Sequence, residues 1–220
     1  MEKRLILSVG REFGSGGHVI AEALARRFEL DLYDNNLLEH IAEEKSVGGD
    51  TLKKYDERPK SRLFSRTVRG YSNSIQENIA GMQFDYLRKL AEDGKSFVVV
   101  GRCSETILKD YEGFISIFVL GDRETKRERI MRLYRLSAEE AEHMMSRKDW
   151  ERKSYHNYYC KVKWGDSRNY DLSINSSRLG IDRTVDMLET YIRDRLELSL
   201  IHIRRSRRTL GSRSRWSPYH

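Results

Sequence analysis

The most constraining feature of this chain is its opening, RLILSVGREFGSGGHVIAEALARRF over residues 4–28: an apolar run, three glycines within four positions, then a segment of helical period. The run RLILSV (4–9) predicts a buried strand, and Ile20, Ala23, Leu24 and Phe28 fall on one face of a following helix. A strand that turns into a helix through glycine needs parallel neighbours to cover it, and such neighbours are present. LDLY (30–33), FVVV (97–100), ISIFVL (115–120) and YDLSIN (170–175) read as further strands, and Ile181, Val185, Leu188, Ile192 and Leu196 mark a closing amphipathic helix. The expected class is α/β, a five-stranded parallel sheet flanked by crossover helices. At 220 residues the chain suits one domain with insertions.

Two connections are too long to be simple crossovers. Residues 34–96 carry a helix seeded at NNLLEHIAEE and another through Ile75, Ile79, Met82, Tyr86 and Leu90, and are expected to form an inserted helical lobe. Residues 121–169 hold a charged helical pair whose second member opens with Ser137 and Glu140 at capping-box spacing. The folded domain is expected to end near residue 197. The net charge of +7 comes mostly from Ser199–His220, which has six arginines and no acidic residue and leaves 35 basic against 34 acidic residues elsewhere. That tail resembles translated adaptor sequence, is expected to be disordered, and is set aside from fold reasoning; a nucleic-acid-binding arm is its alternative. No apolar run is long enough for a membrane span and no signal-peptide core is visible, so a cytoplasmic protein without a membrane partner is expected. Cys103 and Cys160 read as reduced thiols.

The glycine loop is where chemistry enters. A strand, a glycine-rich turn and a helix N-terminus bring backbone N–H groups and the positive end of the helix dipole to one point, which suits phosphate. The dinucleotide fingerprint G-x-G-x-x-G starting at Gly14 fails at Val19. The phosphate-loop pattern G-x-x-x-x-G-K-S/T fits by position, with Arg11 at its first glycine, Gly17 at its lysine and His18 at its hydroxyl. Arg11 is the candidate for the missing cation. A ligand-free glycine turn is the bland alternative.

Downstream, VVVGRCSETIL, FISIFVLGDRETKRERIMRL, the arginine-rich helical pair and YDLSINSSRLGIDRTVDML follow in order. This succession resembles the cytidylate kinases, most closely a divergent cytidylate-kinase-like branch whose loop reads R-E-F-G-S-G-G, over nearly all of residues 4–196. The resemblance implies a P-loop sheet of strand order 2-3-1-4-5, a nucleoside-monophosphate lobe at 34–96 and an arginine-bearing lid within 121–169. It implies ATP and Mg2+ as cofactors and a nucleoside monophosphate, CMP or dCMP first, as acceptor. It assigns Gly14, Ser15, Gly16, Gly17 and His18 to the ATP phosphates, and Gly101 and Arg102 to the acceptor, with Cys103 standing where the family pattern has aspartate. Asp34 falls near acceptor and metal. Arg147 and Arg152 become lid cations, Asp149 their orienting carboxylate or a contact to the acceptor, and Asn175 and Ser176 the border of the adenine.

Each assignment has a plainer counterpart. Asp34 also suits a helix cap; Arg127, Arg129 and Arg132 read as surface partners of Glu124 and Glu128. His156 and Cys160, one turn apart, supply two donors and read as packing, and the aromatics of SYHNYYCKVKW read as a packed lid hinge with base stacking as alternative. At the level of function the alternative is a nucleotide-binding regulatory module. Nucleic acid is not the expected partner, and oligomeric state is not legible.

Overall fold

The structure, a computed structural model, describes residues 4–34, 36–38, 40–41, 67–68, 71–72 and 75–212. Residues 42–66, which hold the polar stretch GGDTLKKYDERPKSR between the lobe's two expected helices, lie outside the described residues.

The elements follow in chain order: β1 Ile6–Arg11, α1 Gly17–Arg27, β2 Asp31–Tyr33, a small antiparallel pair β3 Thr67–Val68 and β4 Tyr71–Ser72, and α2 Ile75–Glu92. Next come β5 Phe97–Val100, α3 Ser104–Ile107, β6 Phe114–Leu120, α4 Arg123–Tyr134, α5 Ala138–Tyr159, β7 Leu172–Asn175 and α6 Ser176–Ser212. The main sheet runs β2-β5-β1-β6-β7, all parallel; counting its own strands in sequence, the order is 2-3-1-4-5.

Alternation sorts the strands' side chains to two cores. Leu7, Val98 and Ile115 stand in register on one face, packed against Ile20 and Leu24 of α1 and Val185, Leu188 and Ile192 of α6. Ile6, Phe97 and Val99 point to the other face, against Leu87 and Leu90 of α2. β1 is buried along its whole length, which explains why its run is almost continuously apolar.

β1 extends two residues beyond its apolar run, so Arg11 is its last residue rather than part of the loop. The Ser137–Glu140 capping box forms at the start of α5 as its spacing predicts. α6 is broken at Gly180 (φ 76, ψ 171) and continues as backbone helix through Ser212, with no interruption at residue 197. No helix among the described residues is long and apolar enough to cross a membrane.

Candidate functional site

The loop is shaped at Gly14 and Gly16, which hold φ of 82° and 80° in the left-handed region where glycine carries no steric penalty. Ser15 Oγ donates to Glu12 O at 2.9 Å and accepts from Gly17 N at 3.3 Å, which closes the turn. The first helical bond of α1 runs from Ile20 N to Gly16 O. The N–H groups of Gly17, His18 and Val19 therefore precede it, at the positive end of the helix, and line a cleft of about 470 Å³. No acidic residue occupies the first turn of α1.

Arg11, the candidate for the missing cation, enters from the strand side. Its guanidinium is buried and its Nη2 lies 3.3 Å from Asp34 Oδ1, while His18 Nδ1 lies 2.7 Å from Asp34 Oδ2. Asp34 thus turns its carboxylate to these two groups. A Cβ on Gly17 would stand 2.4 Å from Arg11 Cβ, and one on Gly101 would stand 2.2 Å from Arg11 Nη1. Arginine at the first-glycine position and glycine at the lysine position are one linked exchange: either side chain fills the space the other would need.

Behind the loop lies a polar brace that sequence reasoning missed. Lys126, from α4, is buried with its Nζ 2.8 Å from Glu12 Oε2 and 3.7 Å from Asp149 Oδ2. Asp149 Oδ1 accepts from Phe13 N at 2.6 Å, so α5 is pinned to the loop. Burial raises the Asp149 carboxyl above its ordinary range, against the opposing pull of the Phe13 N–H and Lys126. Arg152 donates from Nη1 to Arg11 O at 3.3 Å and stacks over Phe13 at 5.4 Å. Arg129 is not a surface partner: its Nη1 reaches Gly14 O at 2.5 Å, and burial lowers its guanidinium's pKa.

Beyond Arg11 is a second, smaller cavity of about 30 Å³ at the carboxyl edge of the sheet, lined by Arg11, Gly101, Arg102, Arg152, Trp164 and Tyr170 among others. Arg102 and Cys103 both sit in the left-handed region (φ 59 and 56), strain that turns the chain sharply after β5. Phe118 backs this wall, its ring 4.9 Å from Tyr170 and 5.5 Å from Trp164. Gly10 leaves room for it, since a Cβ there would lie 2.8 Å from Phe118 Cδ2. Two aromatics of the expected hinge, Tyr155 and Trp164, therefore line a cavity.

Three assigned residues lie elsewhere. Arg147 is exposed and contacts Glu151 at 4.0 Å within its own helix, whereas Lys148 lines the cleft. Helical spacing explains the difference: Ala141, Met145, Asp149, Arg152 and His156 form the inward stripe of α5, and Arg147 is off it. Ser176 is buried and donates to Ser15 O at 2.6 Å, bracing the loop from behind. Asn175 donates to Asp122 Oδ1 at 2.8 Å and accepts from Ser177 N, holding the turn after β7.

A third group joins α5 to the sheet edge. His156 Nε2 lies 2.6 Å from Glu105 Oε1, both buried. Burial alone would lower the His156 pKa, but hydrogen bonds with Cys160 and Glu105 outweigh it and raise it to about 10. A hydrogen bond with Cys103 outweighs burial at Cys160 and, helped by His156, brings that thiol down to about 6.

A parallel sheet of this order with a glycine loop between β1 and α1 defines a P-loop kinase fold. The structure of shikimate kinase from Bacteroides thetaiotaomicron shares it with a TM-score of 0.51 at 12% identity, over 86% of this chain and 98% of that one. An uncharacterized protein from Eubacterium ventriosum ATCC 27560 is 38% identical, with a TM-score of 0.69 over 86% of this chain and 99% of that one. No curated protein matches the chain in sequence. The model of the cytidylate kinase-like family matches residues 6–178, and the chain belongs to that family.

Proposed function

We propose that the protein transfers the γ-phosphoryl group of ATP to a nucleoside monophosphate, with CMP or dCMP the first acceptors. One observation carries this reading: Arg11 lines both the cleft at the helix N-terminus and the cavity at Arg102, so one fixed cation stands between two adjoining spaces. Phosphoryl transfer asks little covalent chemistry of a protein and depends on alignment of two phosphate-bearing ligands among cations.

The loop fits ATP phosphates, because the start of α1 from Gly16 to Val19 lines the cleft with no acidic residue in its first turn. Arg129 and Lys148 add positive charge along that cleft, and Arg152 is shared with the cavity. Asp34 is the carboxylate suited to hold Mg2+, which when bound neutralises phosphate charge. Arg11 orients Asp34 and bridges toward the acceptor. Arg102, rigidly presented by the strained turn, binds the acceptor's phosphate side, and the Trp164–Tyr170 wall supports its base.

A regulatory nucleotide-binding module is favoured by one observation, the absence of both lysine and hydroxyl at Gly17 and His18. Incubation with ATP, Mg2+ and each nucleoside monophosphate separates the two. Diphosphate formation, fastest with CMP or dCMP, is expected; ATP binding with no diphosphate from any acceptor leaves only the module.

A further inference from the structure

His156 and Cys160 stand one turn apart at the end of α5 and have no role in the transfer proposed above. Two donors do not make a metal site, but the fold brings a third to them. Glu105 Oε1 lies 2.6 Å from His156 Nε2 and 4.0 Å from Cys160 Sγ. All three residues are buried, at 4–6% exposure. Donor atoms of Glu105, His156 and Cys160 lie within 4.8 Å of one another, the one such gathering among the described residues.

We propose that Glu105, His156 and Cys160 are the ligands of a zinc ion that ties the end of α5 to α3. The donor set selects the metal: one sulfur, one imidazole nitrogen and one carboxylate oxygen suit Zn2+, whereas Mg2+ and Ca2+ take oxygen throughout. Three protein ligands leave the fourth tetrahedral position to water. From the usual zinc–ligand lengths, donor atoms around such an ion stand about 3.5 Å apart, a value inside the present 2.6–4.8 Å spread. Asn157 Oδ1 is 3.4 Å from His156 Nδ1, a contact that keeps Nε2 turned to the cluster. The cavity of about 30 Å³, lined in part by Glu105 and His156, gives an ion a route to these donors. Bound there, zinc would join α5 to the short helix that follows Arg102.

The inference goes beyond the kinase reading and is tested without it. The untagged full chain, stripped with chelator under reducing conditions and titrated with Co2+ in excess Mg2+, is expected to bind one equivalent with thiolate charge-transfer absorption. Zn2+ is expected to displace it. Cys160→Ser should abolish that absorption, and Asn157→Ala should weaken Co2+ about 10–100-fold without changing stoichiometry. Cys160→His, which keeps a ligand, should retain metal without the thiolate band, guarding against a Ser variant that misfolds. Co2+ uptake without thiolate bands in the unaltered chain, or thiolate bands unmoved by both Cys160 variants, overturns the site. So does a chain isolated metal-free with Cys103 and Cys160 joined as a disulfide.

Discussion

Writing the usual lysine back into the loop, as Gly17→Lys, is expected to damage it. The new Cβ would stand 2.4 Å from Arg11 Cβ, 3.1 Å from Arg11 Cγ and 3.4 Å from Val119 Cβ. The first two belong to the stem of a side chain on a fully buried strand, so they cannot swing aside as a chain end could. Overpacking of this kind costs about 1–3 kcal/mol. Arg11→Gly alone loses the contact with Asp34 and adds the strand-glycine penalty of about 0.5–1 kcal/mol. Together the changes remove the clash and rebuild the common arrangement, so the double variant should be more stable than the summed single effects by about 1 kcal/mol or more. Chemical denaturation of the four proteins measures this coupling, and ATP titration follows the site. Additivity within about 0.3–0.5 kcal/mol would refute the linked exchange.

Other outcomes follow from the same geometry. Gly101→Ala, at φ 74 and 2.2 Å from Arg11 Nη1, should cost about 1–2 kcal/mol from its backbone and lower turnover further by turning Arg11 from Asp34, read by denaturation and diphosphate formation. Lys126→Met should destabilise by about 2 kcal/mol, less than full burial would give because Glu12 and Asp149 keep some solvent; Glu12→Gln in the same chain should recover part of it. At Asp171, burial favours the neutral acid, but hydrogen bonds from Ser116 and Arg195 outweigh it and lower its pKa. Its contribution to stability is full above about pH 3.9 and is lost as pH falls through the lowered value, so Asp171→Asn should flatten the acid limb of a stability–pH profile. Leu7→Ala, buried at the centre of the sheet, should cost about 2–5 kcal/mol by thermal or chemical unfolding.

Much of the architecture was legible because strand burial and helix faces are local patterns. The five strands stand within two residues of their apolar runs, and α1 and α6 bury the residues their period selected. The site was legible only in part. Gly14–His18, Arg11, Asp34 and Arg102 come together at the carboxyl edge of the sheet. Arg147 fails by its helical angle, a signal available in the stripe Ala141–Met145–Asp149–Arg152–His156. Asn175 and Ser176 brace neighbouring turns through Asp122, Ser177 and Ser15.

Sequence by itself determined what short-range sterics and periodicity control: the glycine turn at Gly14 and Gly16, the Ser137–Glu140 cap, the faces of α1 and α6, and the family. Tertiary structure alone decided which distant charges meet. Lys126 reaches Glu12 across 114 positions, and Glu105 reaches His156 across 51. No spacing rule encodes such pairs, because they depend on where whole helices dock on the sheet and on the need of each buried charge for a partner. The loop shows both sides: its glycines are visible in sequence, but the reason for Gly17 is the stem of Arg11, and only packing reveals it.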